Sequence, residues 1–435
     1  IFPALFELVA RGKLEVPIIG MARRGWQLSD LVARAKASIQ ENGQYDEATF
    51  EKFSGLLRYV DGDYQDEATF ASLKSALGDA RHALHYLAIP PSMFAPVVGL
   101  LGKTGVAEGA RLVVEKPFGR DLESARELNH TIHSIFGENR LFRIDHYLGK
   151  SAVQNLLAFR FGNIFFEPIW NSHYIESVQV TLSEDFGVEG RGKFYEEVGA
   201  IRDVIQNHAL QIVSYLAMEP PVGTYPEALR DEQVKVLRMI RSIRPDDAVR
   251  GQVRDYRSEP GVDPDSQVET FAALRLHLDS WRWEGVPFLI RAGKDLPISA
   301  AEIFVRFKRP PLSHDVAGLG NHIRLRLSPE VEIALATNVN DESRSGLVQR
   351  ELVAETLDLH SQTNPYARLL GDALVGDQTL FTREDGVEEA WRIVDDLLAE
   401  PPPVIRYEAG TWGPGEASRL AALHGGWHDP TAETD

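Results

Sequence analysis

The sequence predicts an α/β protein in which an N-terminal dinucleotide-binding, Rossmann-like domain precedes a larger α+β domain with a mainly antiparallel sheet. Two changes of pattern carry this prediction. Up to about residue 148, short apolar runs closed by glycine or proline alternate with helical patterns, which is typical of βαβ units around a parallel sheet. From about residue 170, apolar residues recur with a period of two, which is typical of antiparallel strands. We therefore expect one domain over residues 1–148 and another over 149–435.

The elements of the first domain follow in order. The chain opens with a helical pattern, and "VPIIG" (16–20) reads as a short buried strand. A helix follows over 28–43, with Ser29 or Asp30 as its N-cap and Gly43 as its end. The apolar runs "ALHYLAIPP" and "ARLVVEKP" predict two more strands, and "DLESARELNHTIHSIFG" predicts a helix.

The second domain begins with "SVQVTLSEDFG", in which apolar and polar residues alternate. The same alternation predicts further strands at 274–278, 303–307, 323–327 and 331–335. We expect a one-sided sheet whose exposed face is rich in arginine. A long helix is predicted over 199–218, and another near the end of the chain in "GVEEAWRIVDDLLAE".

Composition excludes several classes of function. The net charge of −18 argues against nucleic-acid binding, because a protein that binds the phosphate backbone needs a basic surface. The chain has no cysteine, which excludes disulfides, thiolate metal sites and cysteine nucleophiles. No apolar run reaches eighteen residues, so we expect no membrane span. A reducing cytoplasm is the expected location.

The stretch "RIDHYLGK" packs polar side chains directly behind an apolar strand. Strand ends are where open α/β sheets bind ligands. His146, Tyr147 and Lys150 are three donors suited to a dianionic phosphate, and Asp145 could orient a base from elsewhere. The alternative is a surface turn with ordinary charges.

His208 lies within the apolar stripe of the predicted helix over 199–218. A lone histidine in such a stripe is more often a buried structural residue than a base. Asp203, Asn207 and Gln211 lie on the same helix, however, and polar groups on a mostly buried helix require a reason. On these residues alone, a structural histidine and a general base are equally supported.

Two further stretches point towards a cofactor. Lys116 ends an apolar strand before Pro117, where it could reach both a cofactor and a substrate hydroxyl, and the Lys116–Pro117 bond is a candidate cis peptide. Arg23 and Arg24 follow the "VPIIG" strand. Arginine there suits a 2′-phosphate, so these residues favour NADP over NAD if the domain binds a dinucleotide. A strand-end turn and a cationic loop are the structural alternatives.

Taken together, ten ordered motifs closely resemble the glucose-6-phosphate dehydrogenase family over essentially the whole chain. They are "RRGW", "YLAIPP", "VVEKPFGRDLESARELN", "RIDHYLGK", "EDFGVEGRG", "IRDVIQNHALQ", "VPFLIRAGK", "PYARLLGDALVGDQTLF", "EEAWRI" and "YEAGTWGP". The resemblance implies oxidation of D-glucose 6-phosphate to 6-phosphogluconolactone with NADP, in a homodimer or homotetramer built through the large sheet.

The resemblance also implies roles for individual residues. His208 resembles the general base and Asp145 its carboxylate partner. The expected substrate-binding residues are Lys116, His146, Tyr147, Lys150, Glu184, Asp203 and Lys294. The expected cofactor-binding residues are Arg23, Tyr86 and Lys116. No metal is expected.

Two departures from the family pattern stand out. Ser299 occupies a position where the family usually has a cationic residue. The family also opens with a strand and a glycine-rich turn that presents backbone N–H groups to the pyrophosphate, and this chain begins immediately after that turn. We expect an in-frame glycine-rich segment upstream, and a sheet without its central strand in the chain as given.

Two other functions stay open at this point. Without the glycine-rich turn, the chain could be a sugar-phosphate-binding protein that lacks catalysis. A metal-dependent sugar isomerase or hydrolase is a weaker alternative, because the sequence contains no H-E-x-x-H motif.

Overall fold

The computed structural model describes residues 1–22, 25–43, 45–310, 320–341, 346–357 and 364–432. The chain forms two compact units. The first contains Ile1–Ser151, Gly223–Arg230 and Thr363–Glu388, and the second contains Ala152–Val222, Asp231–Gln362 and Glu389–Asp435. Each unit is therefore built from segments that are far apart in the sequence.

The first unit contains parallel strands connected by helices, as the alternating pattern predicts. Its elements in chain order are α1 (Phe2–Ala10), β1 (Ile18–Ala22), α2 (Leu28–Glu41), α3 (Glu47–Leu56), β2 (Leu57–Asp61), α4 (Glu67–Leu77), β3 (Leu84–Leu87), α5 (Phe94–Lys103), β4 (Arg111–Glu115), α6 (Leu122–His133), β5 (Leu141–Ile144) and α11 (Pro365–Val375). The Lys116–Pro117 peptide bond is cis.

The five strands of this unit form two separate parallel sheets. One sheet pairs β1 with β2, and the other has the order β3-β4-β5. Between β1 and β3 lies a cavity of about 640 Å³, lined mainly by apolar side chains from both strands and the surrounding helices. The strand over 16–20 was predicted to be buried, but every residue of β1 is only partly buried, and Ile18–Met21 line this cavity.

The start of α2 differs from the prediction. The N-cap is Gln27, rather than Ser29 or Asp30. Asp30 lies in the first turn, and its carboxylate accepts a hydrogen bond of 2.8 Å from the backbone N–H of Gln27. Asp30 is the third residue of the helix, and its carboxylate accepts from the N-cap backbone N–H, which has no partner within the helix. Asp30 therefore forms one half of a capping box with Gln27.

The second unit is built around one large sheet. Its strands are β6 (Ile175–Ser183), β7 (Ala248–Val253), β8 (Phe271–Leu276), β9 (Phe288–Gly293), β10 (Ala300–Phe307), β11 (His322–Ser328), β12 (Val331–Asp341), β13 (Gly346–Leu357) and β14 (Val404–Tyr407). Its helices include α7 (Ser151–Phe161), α8 (Gly192–Ala200), α9 (Leu210–Ala217) and α13 (Ser418–Ala421). The helices α10 (Pro226–Met239) and α12 (Glu384–Ala399) each belong partly to both units.

The nine strands have the order β13-β12-β11-β10-β6-β9-β8-β7-β14. Most neighbours are antiparallel, as predicted, and the parallel pairs are β6 with β9 and β7 with β14. No helix among the described residues is both long enough and apolar enough to cross a lipid bilayer.

The prediction of an exposed, arginine-rich sheet face is wrong. In the predicted strands Arg326 is buried and Arg275, Arg306 and Arg324 are only partly exposed. In the neighbouring strand β9, Arg291 is 2% exposed, and its guanidinium carbon lies 4.4 Å and 4.9 Å from the ring centres of Trp412 and Trp427. The C-terminal segment covers this face: Gln179 Nε2 donates to Gly426 O at 2.9 Å, and Arg291 forms an ion pair with Asp429 at 2.8 Å. The two-residue period was correct, but both faces of the central strands are buried.

The prediction of one regular helix over 199–218 is also wrong. Gly199 adopts a positive φ of 61° and separates α8 from the residues that follow. Ile201–Ala209 then form a π-helix, and α9 continues from Leu210. A Cβ on residue 199 would lie only 2.5 Å from Glu269 Oε1. The helix is therefore interrupted at a position that has room only for glycine.

Candidate active site

The predicted site residues fall into two sets, one in each unit. Asp145, His146, Tyr147, Lys150, Lys116 and Tyr86 belong to the first unit. His208, Asp203, Glu184 and Lys294 belong to the second. The pairing of Asp145 with His208 would join the two units and stays a prediction. Arg23 lies outside the described residues.

The "DHYLGK" residues follow the end of β5 and curl into successive turns. The backbone N–H groups of Leu148, Gly149 and Lys150 donate to the carbonyl oxygens three residues earlier, at 3.0–3.2 Å. Asp145 is buried, and its Oδ1 accepts from the backbone N–H of Tyr147 at 3.0 Å. This bond is typical of an Asx turn, in which the aspartate side chain fixes the backbone that follows it.

This turn brings the three predicted phosphate-binding side chains together. The rings of His146 and Tyr147 lie 5.2 Å apart, and Lys150 Nζ lies 3.8 Å from the centre of the Tyr147 ring. All three residues are partly exposed, whereas Asp145 between them and the strand is buried. The chain thus presents an imidazole, a phenol and an ammonium group from one short turn, a set suited to a phosphate dianion.

Lys116 and Asp145 follow neighbouring strand ends. In the sheet register Glu115 is paired with Ile144, so the next residue of each strand lies at the same edge. Tyr86, on β3, reaches this edge as well, and its hydroxyl donates to the Glu115 carboxylate. The carboxyl ends of parallel strands are where nucleotide-binding sheets hold their ligands, so these residues suit a dinucleotide.

In the second unit, Glu184 and Lys294 form an ion pair. Glu184 follows β6 and Lys294 follows β9, which are adjacent parallel strands with Ser183 paired with Gly293. The Lys294 side chain is only 3% exposed, and its Nζ lies 5.1 Å from the ring centre of Phe186 and 5.5 Å from that of Tyr195. Two residues predicted to bind sugar hydroxyls are therefore in direct contact.

His208 is buried at the end of the π-helix and is 3% exposed. Its backbone N–H donates to Asn207 Oδ1 at 2.7 Å, and Asn207 Nδ2 donates to Arg202 O at 2.9 Å. Gln211, the other polar residue noted on this segment, accepts from Gln233 Nε2 at 3.1 Å. The side-chain amides of Asn207 and Gln211 thus form hydrogen bonds to other groups of the second unit.

The charge of Asp203 acts on the neutral phenol of Tyr195. Burial raises the pKa of the Tyr195 phenol well above its usual value, and the nearby Asp203 carboxylate raises it further. Tyr195 therefore stays protonated at neutral pH and can only act there as a neutral group.

Ser299 stands where the family usually has a cationic residue, and its hydroxyl bonds to Asp185. Its Oγ donates to the Asp185 carboxylate, and it accepts from the Asp185 backbone N–H at 3.0 Å. The serine hydroxyl therefore holds the residue next to Glu184, because it both donates and accepts a hydrogen bond.

Sequence reasoning missed Glu115 and Tyr366 at the edge of the first unit. Tyr366 Oη donates to Glu115 Oε2 at 3.3 Å, and the Tyr366 ring lies parallel to the His146 ring, with an interplanar angle of 7°. The position of Glu115 directly before Lys116 is a weak signal. The sequence gives no signal for Tyr366, because this residue is 251 positions away from Glu115.

Comparison with known proteins places this chain among enzymes of one family. The model of the NAD binding domain of glucose-6-phosphate dehydrogenase matches residues 1–155, and the model of the C-terminal domain of the same enzyme matches residues 157–428.

Individual relatives are similar over nearly their whole length. Glucose-6-phosphate 1-dehydrogenase 1 of Mycobacterium tuberculosis is 41% identical over 99% of this chain and 93% of its own. Glucose-6-phosphate 1-dehydrogenase of Rhizobium meliloti is 38% identical, over 99% of this chain and 94% of its own.

Solved structures of the same family are also similar to this chain. The crystal structure of glucose-6-phosphate 1-dehydrogenase from Mycobacterium avium matches with a TM-score of 0.94 and 41% identity, covering 100% of this chain and 96% of the other. A glucose-6-phosphate dehydrogenase in complex with its substrate glucose-6-phosphate matches with a TM-score of 0.88 and 36% identity, covering 99% of this chain and 95% of the other. The chain belongs to the glucose-6-phosphate dehydrogenase family.

Proposed function

We propose that this protein oxidises D-glucose 6-phosphate to 6-phospho-D-glucono-1,5-lactone and reduces NADP, the first step of the oxidative pentose phosphate pathway. The observation that carries the proposal is the match of both family domains along the chain. The turn at residues 145–150 supports it independently, because it groups donors that suit a sugar phosphate.

In this proposal His208 is the general base. Its imidazole takes the proton from the C1 hydroxyl of the sugar as the hydride leaves C1, and Asp145 stabilises the imidazolium that forms. A base of this kind contributes about 10²–10⁴-fold to the rate. When bound, NADP supplies the nicotinamide ring that accepts the hydride.

The remaining residues bind and orient the substrates. His146, Tyr147 and Lys150 hold the 6-phosphate, and Glu184, Asp203 and Lys294 hold sugar hydroxyls. Lys116 contacts both substrates, Tyr86 lies on the nicotinamide side, and Arg23 binds the 2′-phosphate. Holding the reacting atoms in place supplies much of the remaining acceleration. We assign residues 1–148 to NADP binding and 149–435 to substrate binding and oligomerisation.

We also propose a cytoplasmic protein that forms homodimers or homotetramers through the large sheet. Strands β8 to β12, over the segment 271–335, would supply part of that interface. The absence of cysteine suits a reducing compartment.

An assay at 340 nm tests the activity. We expect the protein to reduce NADP with glucose 6-phosphate, and to reduce NADP faster than NAD. A protein that binds the sugar phosphate but gives no absorbance change with either cofactor would instead be a non-catalytic binding protein.

His208→Asn tests the base. We expect kcat to fall by about 10²–10⁴-fold while glucose 6-phosphate still binds, because the variant loses proton transfer and keeps the phosphate-binding turn. His173→Asn is the matched control, since His173 is exposed. An unchanged kcat in His208→Asn would refute the assignment.

A further inference from the structure

Glu115 ends β4 and accepts hydrogen bonds on both of its carboxylate oxygens. Tyr86 Oη donates to Oε1, and Tyr366 Oη donates to Oε2 at 3.3 Å. Tyr86 lies on the neighbouring strand β3, and Tyr366 lies in the first turn of α11. One carboxylate therefore fixes two aromatic rings that come from distant parts of the sequence.

Both tyrosines remain hydrogen-bond donors over the whole physiological pH range. Burial raises the pKa of the Tyr86 phenol far above its usual value, and the Glu115 charge raises it further. The pKa of Tyr366 is raised by the same two causes, burial first. Both phenols therefore stay protonated at neutral pH and can donate to the Glu115 carboxylate.

Tyr366 connects this bridge to the phosphate-binding turn. Its ring is parallel to that of His146, with centres 6.1 Å apart. His146 contacts Tyr147, whose ring lies 3.8 Å from Lys150 Nζ. A continuous series of contacts thus runs from Glu115 through Tyr366 to each side chain assigned to the phosphate.

Tyr86 connects the same bridge to the cofactor side. It lies on β3, next to the strand that ends at Glu115, and the family resemblance assigns it to the nicotinamide side. Glu115 is also the residue directly before Lys116, which is assigned to both substrates. Tyr86, which the proposed function places on the cofactor side, and Tyr366, beside the turn assigned to the phosphate, therefore share one carboxylate.

We propose that Glu115 is a positioning residue that couples the two substrate sites of the first unit, so that NADP binding favours binding of the sugar phosphate and the reverse. This inference rests on the proposed function. A ligand that orders Tyr86 against Oε1 also holds the carboxylate, and through it Tyr366 and His146, in the orientation that the other ligand needs. Such coupling is reciprocal by thermodynamic necessity.

Glu115→Gln tests the coupling with little change of shape. A glutamine amide has one acceptor oxygen and one donor nitrogen, so only one of the two phenols keeps an acceptor. Tyr366→Phe removes the sugar-phosphate side of the bridge alone. Tyr45→Phe is the matched control, because it removes a tyrosine–glutamate hydrogen bond, to Glu47, elsewhere in the same unit.

The measurement is the dissociation constant of NADPH, from its fluorescence, with and without saturating glucose 6-phosphate. This pair cannot react, so the constant is measured at equilibrium. In the unmodified full-length protein and in Tyr45→Phe, we expect glucose 6-phosphate to tighten NADPH binding at least fivefold. In Glu115→Gln and Tyr366→Phe, we expect this ratio to fall to about one.

The ratio separates positioning from stability. A loss of stability alone weakens NADPH binding equally with and without the sugar phosphate and leaves the ratio unchanged. If Glu115→Gln fails to fold, Tyr366→Phe gives the same test. A ratio near one in the unmodified protein, or an unchanged ratio in the folded variants, would overturn the inference. Failure of the proposed function is seen separately, as no NADPH formation by the unmodified protein.

Discussion

Gly149 is the residue that allows the turn over residues 145–150 to lie against α11. A Cβ at this position would come within 2.8 Å of Pro365 O and 3.0 Å of the Leu369 side chain. Only glycine tolerates this approach without a shift of the backbone. Because Tyr366 follows Pro365 in the same helical turn, the close approach also brings the Tyr366 ring beside His146.

Lys150→Ala is expected to raise KM for glucose 6-phosphate by about 10- to 100-fold, with a smaller effect on kcat. The reason is the loss of a charged hydrogen-bond donor to the phosphate, which is worth about 1.5–3 kcal/mol. Steady-state kinetics with glucose 6-phosphate and with free glucose measure the effect. Lys52→Ala, which changes an exposed lysine of the same unit, is the control. An equal loss with free glucose would contradict a phosphate role.

Asp372→Asn is expected to stabilise the protein at pH 7.5 but not at pH 4. Burial, and then the charge of Asp377, raise the pKa of the Asp372 carboxyl to about 6. A carboxyl with a raised pKa favours the folded state while it is protonated, and that contribution is lost as pH rises from about 4 to about 6. Since the group is partly solvated, we expect a gain of only about 1 kcal/mol above pH 6. Denaturant unfolding at both pH values measures it, and a gain that does not depend on pH would contradict this explanation.

At the scale of elements, the segment that carries His208 departs most from simple periodicity. A regular helix places residues three and four apart on one face, whereas a π-helix closes its hydrogen bonds one residue later. Gly199 and the π-helical residues 201–209 therefore interrupt the regular helix expected from the sequence, while His208 stays buried with Ile205 and Ile212. π-Helical turns are frequent at functional sites, which agrees with the role proposed for His208.

Gly199→Ala is expected to destabilise the protein by about 2 kcal/mol or more. The change places a Cβ at a positive φ and against Glu269, whose carboxylate is buried and accepts from the Ile201 backbone N–H at 3.1 Å. Thermal unfolding measures the loss. Gly55→Ala is the matched control: Gly55 lies in α3 with open space around it, so alanine should stabilise there by about 0.5–1 kcal/mol. Equal melting temperatures for Gly199→Ala and the unmodified protein would contradict the constraint.

At the scale of the whole molecule, the end of the chain completes the second unit. Arg326 Nη2 donates to Thr431 O at 3.0 Å, and the Phe304 ring stacks on His428 with centres 4.1 Å apart. Trp427 Nε1 donates to Ala417 O at 2.9 Å, which fixes the indole over Arg291. The C-terminal segment thus gives buried sheet arginines the partners that burial requires.

Trp427→Ala is expected to cost about 2–4 kcal/mol of the free energy of unfolding. The change removes a large, partly buried ring and leaves one side of a buried guanidinium without its cover. Chemical denaturation monitored by far-UV circular dichroism measures the loss. Leu423→Ala is the control, since Leu423 is 85% exposed and should change stability by less than about 0.5 kcal/mol. Similar values for both variants would show that the segment does not stabilise the sheet.

The sequence by itself determined the features that depend on local pattern. The alternation of strands and helices in the first unit, the change from a parallel to a mainly antiparallel sheet, and the grouping of His146, Tyr147 and Lys150 in one turn all follow from residues that are near each other in the chain. Ten motifs in order were sufficient to indicate the family, which the comparisons confirm.

Only the tertiary structure decided which polar side chains are buried and which ones meet. Alternation shows that a strand has two faces, but not that a segment more than 100 residues away covers the second face, as 425–429 covers Gln179 and Arg291. The contact between Glu115 and Tyr366 could not be predicted for the same reason. Contacts between distant segments depend on the packing of the whole unit, and the local spacing of residues does not indicate them.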